Sequence, residues 1–135
     1  MNGFSAYRRR ARSETGSATA EFSLVIGLLT LLVLGVLQLA LALHIRNTLI
    51  DAAAEGARYG ALADGSAELA QDRTRELITI AVGEQYAQNI HVVIGDYQSG
   101  RATIVTVTAP LPLLGLFGPD NALEVVGRAP VEGIQ

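Results

Sequence analysis

One carboxylate stands at the edge of a long uncharged segment, and its chemistry needs an explanation. Glu21 is followed by Phe22, and residues 22–43 include no charged side chain. A charge at the border of an apolar, low-dielectric region is costly unless it has a partner. A nearby cation, or the positive end of a helix N-terminus, would offset that cost. Glu21 is therefore the first candidate for a functional residue.

Signatures of catalysis and of ligand binding are absent from the sequence. The two histidines, His44 and His91, stand alone, and no HxxxH pair, nucleophile elbow or glycine-rich phosphate loop is present. The chain has no cysteine, which excludes disulfides and thiolate metal sites. We therefore predict that the protein is not an enzyme and has no catalytic, cofactor-binding or metal site. The net charge of -3 does not favour nucleic acid as a partner.

The uncharged segment has the length of a membrane span. At a rise of about 1.5 Å per residue, residues 22–43 can cross a hydrocarbon core of roughly 30 Å. Arginines at positions 8, 9, 10 and 12 precede the segment, whereas acidic residues dominate after it. Arginines that flank a span stay in the cytoplasm. We predict a single-pass protein of the cytoplasmic membrane, with residues 1–16 as a disordered cytoplasmic leader and the C-terminal domain outside.

The helical pattern continues beyond the apolar segment. Residues 44–61 have no proline, and apolar or small residues recur there at helical spacing on one narrow face. Small residues on such a face permit close approach of another helix, and Glu55 and Arg58 are spaced to pair. We predict one transmembrane and extended helix over residues 17–62. Its narrow face consists of Ile45, Leu49, Ala52, Ala53, Gly56 and Tyr59.

Residues 63–135 have the pattern of a small α+β domain. After a break at residues 64–66, Ser66 is a candidate N-cap for a second helix with Glu68 in its first turn. This helix is expected to end near Gln88 or Asn89. Residues 90–94 and 103–108 then alternate as a β-hairpin, and residues 123–129 form a third strand. The predicted buried side of the second helix comprises Leu69, Leu77, Ile80 and Ala81, with Ile78 and Val82.

The predicted fold class is therefore α+β and pilin-like: a long N-terminal transmembrane helix, a second helix and a small antiparallel three-stranded sheet. Residues 110–119, between the last two strands, carry no charge and hold five large apolar residues. The favoured interpretation is that they fill the core under the sheet. The alternative is an apolar surface that faces a partner or the membrane. The five residues are Leu111, Leu113, Leu114, Leu116 and Phe117.

The start of the apolar helix resembles a known processing signal. Gly16, four further residues and then Glu21 and Phe22 resemble the class III prepilin processing motif. The resemblance places the scissile bond between Gly16 and Ser17. A glycine adapts to an extended backbone in a protease cleft, and the freed amine of Ser17 would give Glu21 a cationic partner. The alternative is an ordinary helix start, with Ser17 or Thr19 as N-cap and Glu21 in the first turn.

A second segment resembles the TadE family. Residues 48–60, TLIDAAAEGARYG, are similar to the AAREGARY region of that family, and Ala54 stands where the family often has arginine. TadE-like proteins are pilin-like minor components of tight adherence (Flp-type) pilus systems. The resemblance covers roughly residues 14–62. Its family-like motif here is Glu55, Gly56, Ala57, Arg58 and Tyr59.

The resemblance implies a minor pilin or pseudopilin that prepilin peptidase processes and that serves a pilus or a related secretion apparatus. Its implied partners are the membrane, prepilin peptidase, other pilins or pseudopilins, the platform protein of the assembly machine and, indirectly, a cytoplasmic ATPase. Both a filament subunit and a membrane-resident assembly factor fit this description. Two rivals are an uncleaved single-pass anchor that presents an extracytoplasmic interaction module, and a domain released by signal peptidase near Ala42. The N-terminal residue separates them: Ser17, Met1 or a residue near His44.

Overall fold

The computed structural model describes the backbone of residues 4–62, 64–98, 100–112 and 119–131, and the side chains among these from residue 16 onward. Helix α1 spans Phe4–Ala61 and helix α2 spans Ala67–Ala81, followed by a short 3-10 helix at Glu84–Tyr86. Strands β1, β2 and β3 span Asn89–Tyr97, Gly100–Ala109 and Leu123–Pro130. The predicted α+β order, with a long apolar helix, a second helix and three antiparallel strands, is confirmed. The chain divides into two compact units, Met1–Leu37 and Gln38–Gln135.

Helix α1 continues past the uncharged segment, as predicted, and ends at Ala61. It begins at Phe4, so the prediction of an irregular leader is wrong for residues 4–16. These residues have no proline and include four arginines, two alanines and one glutamate, which are good helix formers. Adding residues to an existing helix also avoids the cost of a new nucleus. Propensity and continuity therefore make this segment helical without any apolar stripe.

The two hydroxyl side chains within the apolar part of α1 bond to their own helix. The hydroxyls of Ser23 and Thr30 donate hydrogen bonds of 2.9 Å to the carbonyls of Thr19 and Ile26, one turn earlier. The side chains of residues 16–37 are all exposed in the folded chain. An apolar surface of this extent, with its polar groups satisfied internally, suits a hydrocarbon environment.

Helix α2 begins as predicted and ends earlier than predicted. The Ser66 hydroxyl accepts a hydrogen bond of 3.2 Å from the Leu69 N–H, which caps the helix. The helix ends at Ala81, not near Gln88 or Asn89, because Gly83 adopts a positive φ of 110° that a helix does not accommodate. A 3-10 turn fills the remaining residues before β1.

The buried side of α2 differs from the prediction. Ala70, Thr74 and Ile78 are the buried residues, whereas Leu69 and Ile80 are 43% and 78% exposed. Ile78 is buried as predicted, but near Ala70 and Thr74 the neighbouring helix comes too close for a large side chain. Alanine and threonine occupy the interface because their short side chains fit between two closely spaced backbones. Of the other predicted residues, Leu77 and Val82 are half-buried and Ala81 is exposed.

The sheet is an antiparallel meander in the order β1-β2-β3. The predicted hairpin pairs Val92 with Val105, and β2 then pairs Val105 with Gly127 of β3. The inner face packs on α1 and α2 and supplies Ile90, Val105, Val107 and Val125 to the core. Gly127 lies directly on α1: a Cβ at this position would meet the backbone of Ala53 and Ala54. The sheet and helix are thus in backbone contact at this point.

The start of the 110–119 loop packs inward, whereas Pro119 at its end is exposed. Leu111 is half-buried against the hydrophobic core, and Pro112 is buried. The other predicted apolar residues of the loop, at positions 113, 114, 116 and 117, lie outside the described residues. At Leu111 the structure therefore agrees with the core-filling interpretation.

Candidate processing and packing segments

Gly16 and Ser17 lie in an exposed, helical part of α1. A Cβ added at Gly16 would have no atom within 4 Å. By contrast, a Cβ at Gly56, Gly60 or Gly127 would overlap atoms of neighbouring elements. Glycine weakens a helix interior by roughly 0.8–1.0 kcal/mol relative to alanine. Neither helix propensity nor close packing therefore explains a glycine at position 16. Packing within the described chain does not require glycine at position 16.

Glu21 and Phe22 are exposed on the same helix. The Ser17 hydroxyl lies 3.5 Å from a carboxylate oxygen of Glu21, one turn away. Among the side chains described from residue 16 onward, the ion pairs involve other carboxylates, on Glu55, Glu76 and Asp72. The structure brings Ser17 and Glu21 together and supplies the carboxylate with a hydroxyl donor.

The alternative explanation of Glu21 as a first-turn residue is wrong for the full-length chain. Helix α1 begins at Phe4, so Glu21 lies several turns inside it, and the first turn holds no acidic residue. The favourable field of a helix N-terminus falls off within the first turn. Neither Ser17 nor Thr19 can act as N-cap in this chain. Only a chain that begins near Ser17 would place Glu21 close to a helix N-terminus.

The small residues of the 55–59 motif form the contact between α1 and α2. A Cβ at Gly56 would meet Thr74 Oγ1 and stand 2.9 Å from the Ala70 carbonyl oxygen. Ala57 is fully buried, and a Cβ at Gly60 would stand 2.6 Å from Ala70 Cβ. The close helix approach predicted from these residues is therefore present, and the partner is α2 of the same chain.

The remaining motif residues face solvent. Glu55 and Arg58 form the predicted ion pair at 3.2 Å, with both side chains largely exposed, a geometry that contributes little to stability. Tyr59 is 45% exposed, so its predicted place on the buried face is wrong. The buried stripe continues through Gly60 and Ala61 instead, because Tyr59 turns away from α2 and the sheet.

An open groove lies beside this exposed pair. Its volume is about 370 Å³, and it runs between α1 and α2. The groove combines three charged side chains with small and aliphatic ones, which suits contact with another protein better than enclosure of a small ligand. Its lining residues are Thr48, Asp51, Ala52, Glu55, Arg58, Leu77 and Ala81.

The described residues offer no arrangement for metal binding. No group of three or more metal-ligating side chains occurs among them, and His44 and His91 are both exposed. Among the ionisable groups that the structure describes, the one clear pKa shift is at the start of α2. The Glu68 backbone N–H and the Ser66 hydroxyl stabilise its carboxylate and lower the pKa of Glu68, as expected at a helix N-terminus. This is a capping effect and not an active-site feature.

One polar residue of the apolar segment has a tertiary role that the sequence did not indicate. The side-chain amide of Gln38 donates a hydrogen bond to the carbonyl of Pro112, in the β2–β3 loop. The signal available from sequence was only that a glutamine interrupts an apolar run. Its partner lies 74 residues away, and no local pattern points to it.

Comparison with known proteins identifies the N-terminal segment. The family model described as TadE-like protein matches residues 16–58. No match was found among curated proteins or among solved structures. The matched segment begins at Gly16 and includes the packed face of α1 and the Glu55–Arg58 pair. The resemblance predicted from the sequence is confirmed over these residues.

Proposed function

Because residues 16–58 are TadE-like, we propose that the protein is a minor pilin or pseudopilin of a tight adherence (Flp-type) pilus or a related secretion apparatus. The family match carries this proposal. Together with the apolar N-terminal helix, it fits a pilus-associated membrane component.

The apolar part of α1 anchors the protein in the cytoplasmic membrane. Within the described residues, the segment Gly16–Ala61 is long and apolar enough to span a bilayer, and its most apolar window is unburied by the rest of the chain. The arginines before Gly16 hold the N-terminus in the cytoplasm, which places the α+β domain of residues 63–135 outside.

Prepilin peptidase cleaves between Gly16 and Ser17 in this proposal. Two features support it: the motif itself, and the finding that packing does not require glycine at position 16. Cleavage removes residues 1–16 and creates an α-amino group on Ser17. The Ser17 side chain already lies beside the Glu21 carboxylate, so the new amine forms close to the acid that lacks an ion-pair partner in the described chain.

Glu21 then serves assembly. An ion pair between its carboxylate and the Ser17 amine, on its own or a neighbouring subunit, offsets several kcal/mol of desolvation at the membrane edge. Phe22 begins the apolar surface that other pilins or pseudopilins contact. The platform protein and, indirectly, the assembly ATPase are the further partners. The exposed Glu55–Arg58 pair and its groove are available for such contacts.

Three variants test the separate roles of Gly16 and Glu21. Gly16→Val is expected to leave a full-length, membrane-bound precursor, because its side chain intrudes into the peptidase site. Gly35→Val is the matched control, since position 35 is also free of neighbours and lies on the same helix; it is expected to be processed normally. Glu21→Gln is expected to be processed and to co-purify poorly with pilins and other partners. Normal cleavage of Gly16→Val would show that the motif is a coincidence.

A second candidate function is an uncleaved anchor that presents the extracytoplasmic domain to another envelope complex. One observation favours it: α1 runs without interruption from Phe4 through Gly16, so cleavage requires local unwinding of a helix. This candidate predicts that the wild-type protein keeps Met1. It also predicts that Glu21→Gln has the same partners as the wild type.

A further inference from the structure

The last part of the apolar segment of α1, from Gln38 onward, belongs to the compact unit Gln38–Gln135 and is partly covered by it. Residues 16–37 are all exposed, whereas Gln38 and Ala42, which lie four residues apart on one face, are half-buried. The same face continues into the buried residues Ile45 and Leu49. Because residues 22–43 form the uncharged segment, the unit overlaps the end of the segment that is expected in the membrane.

The position of Gln38 along α1 gives the depth of this overlap. A hydrocarbon core of about 30 Å takes about 20 helical residues, which counted from Phe22 end at Leu41. Gln38 is three residues earlier, so it lies about 5 Å inside that boundary. A side-chain amide in hydrocarbon without a hydrogen bond is costly. The carbonyl of Pro112 accepts its hydrogen bond and removes that cost.

The same contact satisfies a carbonyl of the loop. Strand β2 ends at Ala109, so Pro112 has no ladder partner and relies on Gln38. Non-helical backbone is tolerated at membrane depth only where protein groups satisfy it. Several backbone groups of the loop base are accounted for in this way: the Leu111 N–H donates to the Pro119 carbonyl at 3.4 Å, and Pro110, Pro112 and Pro119 have no N–H to satisfy.

The composition of the loop agrees with a lipid environment. From position 110 to position 119 the chain carries no charge, and the first charge after it is Asp120. An uncharged apolar segment of this kind, where it is exposed, is typical of a surface that contacts a partner or a membrane. If the loop only filled the core under the sheet, it would not need to contact the apolar segment of α1. The loop base nevertheless forms a hydrogen bond with Gln38 of that segment.

We propose that the base of the β2–β3 loop, residues 110–112 and Pro119, lies beside Gln38 at the edge of the hydrocarbon core of the bilayer. The protein then contacts the membrane through helix α1 and through this loop base. The hydrogen bond from Gln38 to Pro112 holds the loop base against α1. This inference rests on the proposed membrane anchoring by α1. It does not depend on processing at Gly16 or on assembly into a pilus.

Site-specific fluorescence in vesicles tests the proposal, and the lack of native cysteine makes labelling simple. Full-length protein with a single cysteine is labelled with a nitrobenzoxadiazole probe and reconstituted in phosphatidylcholine–phosphatidylglycerol vesicles. The label sites are Pro119→Cys at the loop base, Leu34→Cys in the apolar segment and Arg101→Cys at the far end of β2. Quenching is measured with nitroxide-labelled lipid and with aqueous iodide.

Lipid quenching at position 119 is expected to be several-fold larger than at position 101, with iodide quenching in the opposite order. Adding Gln38→Leu is expected to reduce lipid quenching at position 119 and to leave position 34 unchanged. Equal lipid quenching at positions 119 and 101, with strong lipid quenching at position 34, would overturn the placement of the loop base and leave the membrane anchoring by α1 intact. Absence of lipid quenching at position 34 overturns the membrane anchoring on which it rests. Gly16→Val protein is expected to give the same pattern, which separates this result from the processing hypothesis.

Discussion

A single methyl group added at Gly56 measures how closely α1 and α2 approach. Gly56→Ala raises intrinsic helix propensity by about 0.8–1.0 kcal/mol, so the same change on an exposed helix face is stabilising. In this chain the new Cβ meets Thr74 Oγ1 and stands 2.9 Å from the Ala70 carbonyl oxygen. We therefore expect the substitution to lower the stability of the folded unit in spite of the better propensity.

The magnitude follows from two costs. Overpacking a close contact costs about 1–3 kcal/mol. The Thr74 hydroxyl, which is buried and donates to the Ala70 carbonyl at 2.8 Å, is displaced, and an unsatisfied buried group costs about 1–3 kcal/mol more. After subtraction of the propensity gain, the expected net loss is about 1–5 kcal/mol. Double substitution with Thr74→Ala removes the closest atom, so its loss is expected to be smaller than the sum of the single losses.

The assay is urea unfolding of the full-length protein in detergent micelles, followed by near-ultraviolet circular dichroism of tyrosine. This signal reports on the folded unit because Tyr86 is buried in its core. Gly35→Ala is the matched control, since a Cβ there has no neighbour within 4 Å, and it is expected to unfold at the same urea concentration as the wild type or higher. A Gly56→Ala protein as stable as this control would refute the close packing of α1 on α2.

Three further changes probe the folded unit by the same urea assay. Thr103→Val is expected to raise stability by about 1 kcal/mol, because the fully buried Thr103 hydroxyl has no hydrogen-bond partner among the described residues; a loss would reveal a hidden partner. Gly127→Ala is expected to be strongly destabilising, because its Cβ meets the backbone of Ala53, and wild-type stability would contradict the sheet–helix contact. Because the pKa of Glu68 is lowered in the folded state, its ionised carboxylate stabilises the fold at pH values above 4.5, the ordinary pKa of the group. This stabilisation is lost as the pH falls from 4.5 through the lowered pKa of the folded state. The loss of stability between neutral pH and a pH below 4.5 is therefore expected to be smaller in Glu68→Gln than in the wild type. Equal losses in the two proteins would contradict the stabilising role of this carboxylate.

Local patterns predicted the elements of the fold. Alternation of apolar residues identified the hairpin and the third strand, because one face of a sheet must be buried on a core. Ser66 identified the start of α2, because a hydroxyl at that position satisfies an orphan N–H. These signals succeed because their causes lie within a few residues of each other. The helix over residues 4–16 was missed because it has no amphipathic pattern and depends on continuity with the helix that follows.

Side-chain burial on the helices was predicted less well, because it depends on which element lies opposite. Leu69 and Ile80 were expected inside by their size, yet Ala70 and Thr74 occupy the interface, where the partner backbone comes close. Tyr59 was placed on the buried face by spacing alone and lies outside it. The distance between two backbones is a tertiary property, and a hydrophobicity pattern in one helix does not specify it.

The sequence identified the residues of the candidate site but did not separate those that pack inside the protein from those on its surface. The 55–59 motif separates in the structure into packing residues, Gly56 and Ala57, and an exposed ion pair, Glu55 and Arg58. Sequence similarity treats these residues alike, because it does not distinguish internal contacts from surfaces. The tertiary hydrogen bond of Gln38 was not predicted because its partner carbonyl belongs to a distant loop.

The N-terminal residue of the mature protein is the measurement that tests the central claim most directly. Intact mass and terminal-peptide mass spectrometry of protein purified from native membranes would determine it. The proposed processing predicts a chain that begins at Ser17 and retains the whole apolar segment of α1. A mature chain that begins at Met1, in cells with an active prepilin peptidase, would contradict it and favour the uncleaved anchor.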